Sequence, residues 1–282
     1  MPLSALLLVL LAAFTHSIWN LLAKRASSNP HFIWFTSIGE TIFLLPLATW
    51  AWSVSSRLDW RAGLCLISSG ALELLYATSL LKGYRVADLS IVYPVARGTG
   101  SLLACLGAIA ILRERSSFAV IAGSVLVASG ICLLCLPATR GRSWAGPCWG
   151  IFTGLAIASY TLVDGYSIRV LLLSPFLVGY AGNLFRTIAL SGSTWQERRL
   201  LMHEIRGCWR EALAVAVLIP ASYLMILFAT RLAPVSHVAP AREISMLIGA
   251  YFGSRLLKEG HMARRLTGSM LVVAGVVTLT LS

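Results

Sequence analysis

Charged residues are scarce in this chain. Only 12% of its 282 residues are charged and 57% are apolar, whereas a soluble domain usually carries about 25% charged residues. A water-soluble globule with so little charge could not cover its own surface. The charges stand in short clusters, such as Lys24-Arg25 and Arg264-Arg265, between apolar runs of roughly the 20 residues that span a bilayer. The composition excludes a soluble globule, a disordered chain and a disulfide scaffold, and predicts a polytopic membrane protein.

Acidic residues are the scarcer sign of charge. The chain has 23 Lys and Arg against 11 Asp and Glu, a net charge of +12. In a soluble protein this excess would indicate nucleic acid as a partner. In a membrane protein it has another origin, because Lys and Arg collect in short cytoplasmic loops and at helix ends. We therefore expect the lipid bilayer, and no nucleic acid, among its partners.

Enzyme and metal motifs are missing from the sequence. Cys132 and Cys135 form a C-x-x-C, but no second ligand pair accompanies it and the surrounding run is apolar. His203 and Glu204 begin an H-E-x-x-H whose last position is Gly207, and neither a G-x-S-x-G nor a P-loop is present. The sequence predicts no catalytic residue, no metal and no cofactor. Without a nucleotide site the protein cannot be a primary pump on its own.

Apolar runs between charged residues, prolines and glycines predict an all-α membrane protein with ten transmembrane helices. The ten spans are about 3–22, 31–52, 62–81, 87–111, 118–136, 148–171, 174–192, 211–230, 235–257 and 265–281. Four prolines remain inside spans: Pro46, Pro94, Pro220 and Pro240. The loop Ser193–Glu211 is predicted to hold a short interfacial helix with Thr194 to Glu197 as its capping box, or to be an ordinary solvated loop.

The two halves of the chain repeat. Residues 87–94 overlay 233–240 at an offset of 146, sharing Ala, Ser, Val and Pro at matched places, and residues 12–20 overlay 156–164 at an offset of 144. Five spans in each unit force the second unit to enter the membrane from the opposite side. The sequence predicts two inverted five-helix repeats, 1–137 and 146–282, with a substrate site near the midplane between them.

The repeated segments resemble those of a known family. The Thr15–Lys24 opening, the Ala-x-x-Ser-x-x-x-Pro signature at 87–94 and 233–240, and the Arg-Glu and Lys-Glu corners at 113 and 258 are similar to the ten-helix EamA branch of the drug/metabolite transporter superfamily. The resemblance covers nearly the whole chain. It implies an alternating-access carrier of small metabolites in a bacterial inner membrane. The wording of residues 16–24 and 93–98 is similar to a subgroup encoded beside phosphonate-breakdown operons, which implies an amino acid or aminophosphonate-like solute.

Ionisable side chains inside spans are functional candidates, because a charge deep in a bilayer is costly unless it is paired or hydrated. The seven are Glu40, Glu73, Arg97, Asp164, Arg186, Arg242 and Glu243. They either neutralise one another as structural salt bridges or line a central cavity. Arg97 and Glu243 each lie three residues beyond a matched proline, so the repeat predicts that they face each other.

Two questions about these charges stay open at the sequence level. The first is whether Arg97 and Glu243 form a structural bridge or Arg97 and Arg242 bind the anionic group of a solute. The second is which of Glu40, Glu73 and Asp164 is the protonatable coupling group if transport is coupled to protons.

Polar and aromatic side chains in the spans are further candidates for the cavity wall. They are His16, Trp19 and Asn20 in the first span, Tyr160 and Asp164 at matched positions in the sixth, and Tyr76, Tyr93 and Tyr223. Trp19 is equally well read as a packing residue. The glycine pairs Gly63/Gly70, Gly123/Gly130 and Gly268/Gly275, with Gly146, Gly150 and Gly154, predict close helix packing.

The principal hypothesis is a monomeric secondary carrier of a small polar solute. A lipid-linked-sugar flippase of the same superfamily and a membrane-embedded enzyme using His16, Glu40 or Glu73 are the alternatives. Orientation is open: with a cytoplasmic N-terminus, the cytoplasmic loops hold six Lys and Arg and the other side fourteen. This count favours both termini outside, whereas the family resemblance implies both inside.

Overall fold

The computed structural model describes residues 2–29, 31–53, 59–112, 118–135, 144–196, 198–232, 244–257 and 261–280. All regular structure within these ranges is α-helical, as the sequence predicts. The helices are α1 (Leu3–Arg25), α2 (Phe32–Ser53), α3 (Trp60–Val86), α4 (Leu89–Leu112), α5 (Phe118–Cys135), α6 (Ala145–Arg169), α7 (Pro175–Gln196), α8 (Arg198–Leu232), α9 (Ile244–Leu256) and α10 (Met262–Thr280).

Five of these helices contain a segment long and apolar enough to cross a membrane. The segments are Leu3–Arg25, Phe32–Trp52, Trp60–Val86, Ala145–Asp164 and Arg206–Ile226, with mean hydropathies from 1.2 to 1.9. The molecule also carries large apolar side chains on its outside: Ile42 is 68% exposed and Ile188 is 65% exposed. Its interior holds polar groups, with Glu40 only 1% exposed. An apolar exterior over a polar interior is the distribution that a lipid environment requires.

Local chemistry explains several helix ends and irregularities. Asp59 caps α3, because its carboxylate accepts a hydrogen bond from the Ala62 amide at 2.9 Å. Pro46, Pro94 and Pro220 lie inside α2, α4 and α8, as predicted. Pro240 lies outside the described residues.

The described residues between the seventh and eighth spans are helical, in α7 up to Gln196 and in α8 from Arg198. The α8 helix begins at Arg198, and Cys208 interrupts it with φ −142° and ψ 16°. This kink separates a basic amphipathic segment from the apolar remainder. The predicted capping box is wrong: Thr194 lies within α7, where its hydroxyl donates to the Leu190 carbonyl at 2.7 Å.

Contacts between helix ends give the relative directions of several helices. Ala5 and Val9 near the start of α1 pack against Ala229 near the end of α8, so these helices run antiparallel. Trp34 near the start of α2 donates to the Ser191 hydroxyl near the end of α7 at 2.9 Å, so α2 and α7 are also antiparallel.

The helices α3 and α7 begin at the same end of the bundle, because Ala62 near the start of α3 packs with Val178 near the start of α7. We call the end of the bundle at which α1, α3 and α7 begin the first end, and the other the second end.

The packing partners recur between the two halves of the chain. The α3 helix packs against α6 and α7, and α8 packs against α1 and α2. The α4 helix packs against α6, and α9 packs against α1. The α2 helix also packs against α7, α4 against α9, and α5 against α10. When five is added to each helix number, counting on from α1 after α10, the pairs α3–α6, α3–α7 and α4–α6 become α8–α1, α8–α2 and α9–α1. The pairs α2–α7, α4–α9 and α5–α10 become themselves.

Glycines bring α5 and α10 together. A Cβ on Gly130 would lie 2.7 Å from the Gly268 carbonyl oxygen and from a Val272 methyl, and one on Gly275 would lie 2.7 Å from the Gly123 carbonyl oxygen and 2.6 Å from a Val127 methyl. The two sets of contacts correspond residue by residue at the sequence offset of 145.

The other predicted glycines divide. Gly154 of α6 has no room for a Cβ against Thr99 of α4, and Gly70 none against Phe185 of α7. Gly63 has nothing within 4 Å of a Cβ position, so its predicted packing role is wrong.

Candidate functional site

A cavity of about 860 Å³, lined by charged, polar and apolar side chains, lies at the centre of the bundle. Of the ten described helices, all but α5 contribute to its lining. Ten of the fourteen predicted site residues line it: His16, Trp19, Glu40, Glu73, Tyr76, Arg97, Tyr160, Asp164, Arg186 and Tyr223. Arg242 and Glu243 lie outside the described residues, and so does the predicted Arg97–Glu243 contact.

Glu40 of α2 and Arg186 of α7 form a buried ion pair on the cavity wall. Their side chains are 2% and 11% exposed, and Arg186 Nη2 lies 3.1 Å from Glu40 Oε2. The same Nη2 also donates to the Asn183 side-chain oxygen. The Arg186 guanidinium therefore holds the Glu40 carboxylate against α7. Asn183, one helix turn before Arg186, fixes the position of the guanidinium.

The ion pair joins residues at the same sequence offset as the two signatures. Glu40 and Arg186 are separated by 146 residues, and so are Thr41 and Thr187, whose hydroxyl oxygens lie 3.3 Å apart. The signatures at 87–94 and 233–240 are also 146 residues apart.

Asp164 of α6 is held by α3. The Ser69 hydroxyl donates to Asp164 Oδ1 at 2.5 Å, and this bond fixes the carboxylate at the cavity wall.

Glu73 differs from the other two cavity carboxylates. Within the described part of the chain its carboxylate takes part in no hydrogen bond or ion pair. The group lies flat against α7 at Gly182: a Cβ there would lie 2.8 Å from Glu73 Cδ and 3.0 Å from Oε1, and would overlap Oε2. The missing side chain of Gly182 thus makes the niche that holds the Glu73 carboxylate.

Two aromatic groups complete the wall. The His16 ring meets Trp19 edge-on with centroids 4.9 Å apart and lies 6.0 Å from Tyr93. On the facing side, Tyr76 and Tyr160 lie 5.7 Å apart across α3 and α6. These rings give the cavity apolar faces between its charged groups.

Asn20 and Tyr93 are buried between helices rather than on the cavity lining. Asn20 accepts from the Tyr84 hydroxyl at 2.6 Å and donates to the His16 carbonyl at 2.8 Å. The Tyr93 and Ser245 hydroxyls share a hydrogen bond of 2.9 Å. Asn20 and Tyr93 therefore stabilise the packing of the helices that form the cavity wall.

Cationic side chains link helices at the second end of the bundle. Lys24 donates to the Tyr84 and Ala87 carbonyls, linking the ends of α1 and α3. Arg265, which is fully buried, donates to Asp88 and Ser90 at the start of α4.

The cavity extends toward the first end instead. Its lining includes Pro175 and Phe176 in the first turn of α7, and Ile226 near the end of α8. Neither Lys24 nor Arg265 belongs to the lining.

Sequence reasoning missed Ser69, Gly182 and Asn183, which position the cavity carboxylates. Nothing distinguishes a serine, a glycine or an asparagine in an apolar run from a packing residue. The Glu40–Arg186 pair did carry a signal, because the offset that matched Arg97 to Glu243 also matches Glu40 to Arg186.

The described residues contain no group of three or more His, Cys, Asp or Glu that would hold a metal ion. Comparison with family models and with curated proteins gave no match to this chain.

Proposed function

We propose that this protein is a multi-pass inner-membrane carrier that moves a small polar solute, an amino acid or a chemically similar zwitterion, by alternating access. It is a secondary carrier of the EamA type, built from two inverted five-helix repeats around the central cavity. The observation that supports this most strongly is the cavity itself: charged groups of both signs converge in the interior of a molecule whose exterior is apolar.

The contact pattern supports the inverted repeat. An approximate two-fold axis in the membrane plane makes equivalent helices meet as antiparallel pairs. A residue on the axis meets its own counterpart, as in the Glu40–Arg186 and Thr41–Thr187 contacts. Away from the axis a contact recurs with the two halves exchanged, as the glycine contacts between α5 and α10 do. Carriers built on such repeats place the substrate between them.

The chemistry of the cavity suits a small zwitterion. Ligand pockets typically measure roughly 300–1,000 Å³, and about 860 Å³ accommodates a solute the size of an amino acid together with water. Among the described lining residues, Glu73 and Asp164 offer negative charge and Arg97 offers a guanidinium that suits a carboxylate, phosphate or phosphonate. Tyrosine rings between them cover the apolar part of the solute.

The shape of the cavity supports alternating access. It extends toward the first end, while Lys24 and Arg265 tie helices together at the second end. A carrier must open that second end in the other half of its cycle, and the bonds made there are polar contacts that can be exchanged for water.

Counterflow in proteoliposomes tests the proposal. The purified full-length protein is reconstituted with an excess of unlabelled solute inside, and uptake of labelled L-alanine, L-threonine and 2-aminoethylphosphonate is followed against protein-free liposomes. We expect saturable uptake of at least one of these solutes, recovered chemically unchanged. Uptake of none of them above the protein-free background would contradict the proposal, and recovery of an altered solute would indicate an enzyme.

A further inference from the structure

The cavity carboxylates are not equivalent in their surroundings. Glu40 is paired with Arg186 at 3.1 Å, and Asp164 accepts from Ser69 at 2.5 Å. Glu73 also lines the cavity, and alone of these three carboxylates it makes no hydrogen bond or ion pair to the described residues. An ionised carboxylate at this depth is costly unless a cationic group neutralises it.

The charges around Glu73 do not supply that group. The charged groups that act on Glu73 are Arg186 of α7, Asp164 of α6 and Glu40 of α2. Arg186 already forms an ion pair with Glu40 and a hydrogen bond to Asn183. Asp164 and Glu40 are carboxylates with the same sign of charge as Glu73. The surroundings of Glu73 therefore favour a cation that arrives from the cavity.

The rings beside Glu73 indicate what kind of cation fits. Tyr76 lies one helix turn from Glu73 on the same face of α3, and Tyr160 stands 5.7 Å from the Tyr76 ring. Aromatic faces next to a carboxylate suit an organic ammonium group through cation–π attraction. A metal ion would instead need several more oxygen ligands, and no group of three or more His, Cys, Asp or Glu suited to a metal occurs in the described ranges.

We propose that the Glu73 carboxylate, seated in the niche at Gly182 and flanked by Tyr76 and Tyr160, is the site that binds the primary ammonium group of the solute. This assignment rests on the proposed function for its solute, and it adds the residue and the niche that select for an amine. Gly182 acts as a positioning residue, because a side chain there would push the carboxylate out of its place.

Ligand-induced thermal stabilisation of the detergent-purified, full-length protein tests the site without requiring transport, since a ligand that binds only the folded state raises its Tm. The probes are propylammonium chloride, propan-1-ol and sodium propionate at matched concentration, with sodium chloride at matched ionic strength. We expect propylammonium to raise the Tm more than the other three. Loss of one charge-assisted hydrogen bond weakens binding roughly ten- to a hundredfold, so Glu73→Gln should need that much more propylammonium for the same shift.

Two further variants separate the site from general damage. Gly182→Ala keeps every charge but fills the niche, and should weaken propylammonium binding while leaving a folded protein. Glu211→Gln removes a carboxylate outside the cavity lining and should bind propylammonium as the unmodified protein does. If Glu73→Gln does not fold, Glu73→Asp keeps the charge on a shorter side chain and should bind more weakly than the unmodified protein.

The outcomes distinguish this site from the carrier proposal. Equal stabilisation by propylammonium, propan-1-ol and sodium chloride would overturn the ammonium site, as would an unchanged response in a folded Glu73→Gln or Glu73→Asp variant. Amine-selective stabilisation without solute flux in proteoliposomes would leave the ammonium site standing and remove the carrier.

Discussion

Two helix pairs in this molecule join equivalent halves of the chain with opposite chemistry. The α2–α7 pair meets through an ion pair, Glu40 with Arg186, and a pair of threonine hydroxyls. The α5–α10 pair meets through glycines, with Gly130 and Gly275 each lying against the backbone of the facing helix. One contact is polar and borders the cavity, and the other is apolar and close-packed.

The two interfaces differ in function: the α5–α10 interface is a rigid support, and the α2–α7 interface contributes to the cavity. The described part of α5 lines no part of the cavity, and contact between backbones leaves its interface with α10 little freedom to rearrange. The α2–α7 interface supplies Glu40 and Arg186 to the cavity, and a polar contact can be remade with a solute or with water. We therefore expect substitutions at the two interfaces to fail in different ways.

The largest effect is expected from stranding a charge at the α2–α7 interface. Arg186→Gln leaves the Glu40 carboxylate buried without its cation, which costs on the order of 3–5 kcal/mol. Glu40→Gln leaves Arg186 bonded to the Asn183 side chain and should cost less. The double variant removes both charges and should recover much of that stability. Unfolding of each detergent-purified variant measures the effect, and a double variant no more stable than the single ones would contradict the ion-pair account.

A smaller loss is expected at the α5–α10 interface. Gly130→Ala places a methyl 2.7 Å from a backbone oxygen that cannot move aside, and overpacking of this kind typically costs about 1–3 kcal/mol. Gly275→Ala should cost a similar amount, because its contacts correspond residue by residue.

Gly63→Ala is the matched control for these variants. Nothing lies within 4 Å of its Cβ position, so the helix preference of alanine should leave stability unchanged or raise it by up to about 1 kcal/mol. Equal losses in all three variants, measured by thermal unfolding, would show that glycine contacts do not set the α5–α10 interface.

Arg97 tests function with little expected change in stability. If its guanidinium binds the anionic group of the solute, Arg97→Gln should fold and lose at least about tenfold in transport, because Gln lacks the charge. Arg97→Lys should restore only part of the rate, since a point charge does not reproduce bidentate contact. Loss of stability in Arg97→Gln, rescued by Glu243→Gln, would indicate a structural bridge instead.

The sequence predicts the helices well because apolar runs and charged boundaries are strong local signals. It places α2 at 31–52 against the observed Phe32–Ser53, and α10 at 265–281 against Met262–Thr280. It fails at Thr194, which lies in the last turn of α7 and not at the start of a new helix. A capping pattern is a local signal, and it does not show where the preceding helix ends.

The sequence predicts which residues form the candidate site, but not which of them are bonded to one another. Ionisable side chains in apolar runs are conspicuous, and most of those named from the sequence line the cavity. Which carboxylate is paired depends on Ser69, Asn183 and Gly182, residues whose part emerges only when helices are packed. Glu73 therefore could not be separated from Glu40 and Asp164 until the packing of α3 against α7 was known.

The smallest perturbation concerns orientation. A reporter that is active only in the cytoplasm, fused after Ser282, should be silent, because fourteen of the Lys and Arg outside the spans fall on the side opposite the termini and six on theirs. The fusion changes no residue inside the bundle, so no effect on stability or transport is expected. Strong reporter activity would place both termini inside, as the family resemblance implies.

Accessibility of one cavity position from both sides of the membrane tests alternating access most directly. Ser101 lines the cavity, and Ser101→Cys in a background without the native cysteines offers a single thiol to a membrane-impermeant maleimide. Leu155→Cys, on the outward face of α6 and 52% exposed, is the control, since a thiol in lipid does not form the reactive thiolate. Alternating access predicts that Ser101→Cys reacts when the reagent is added to either side of sealed vesicles and that the reaction stops transport. Labelling from one side only, with transport intact, would contradict it.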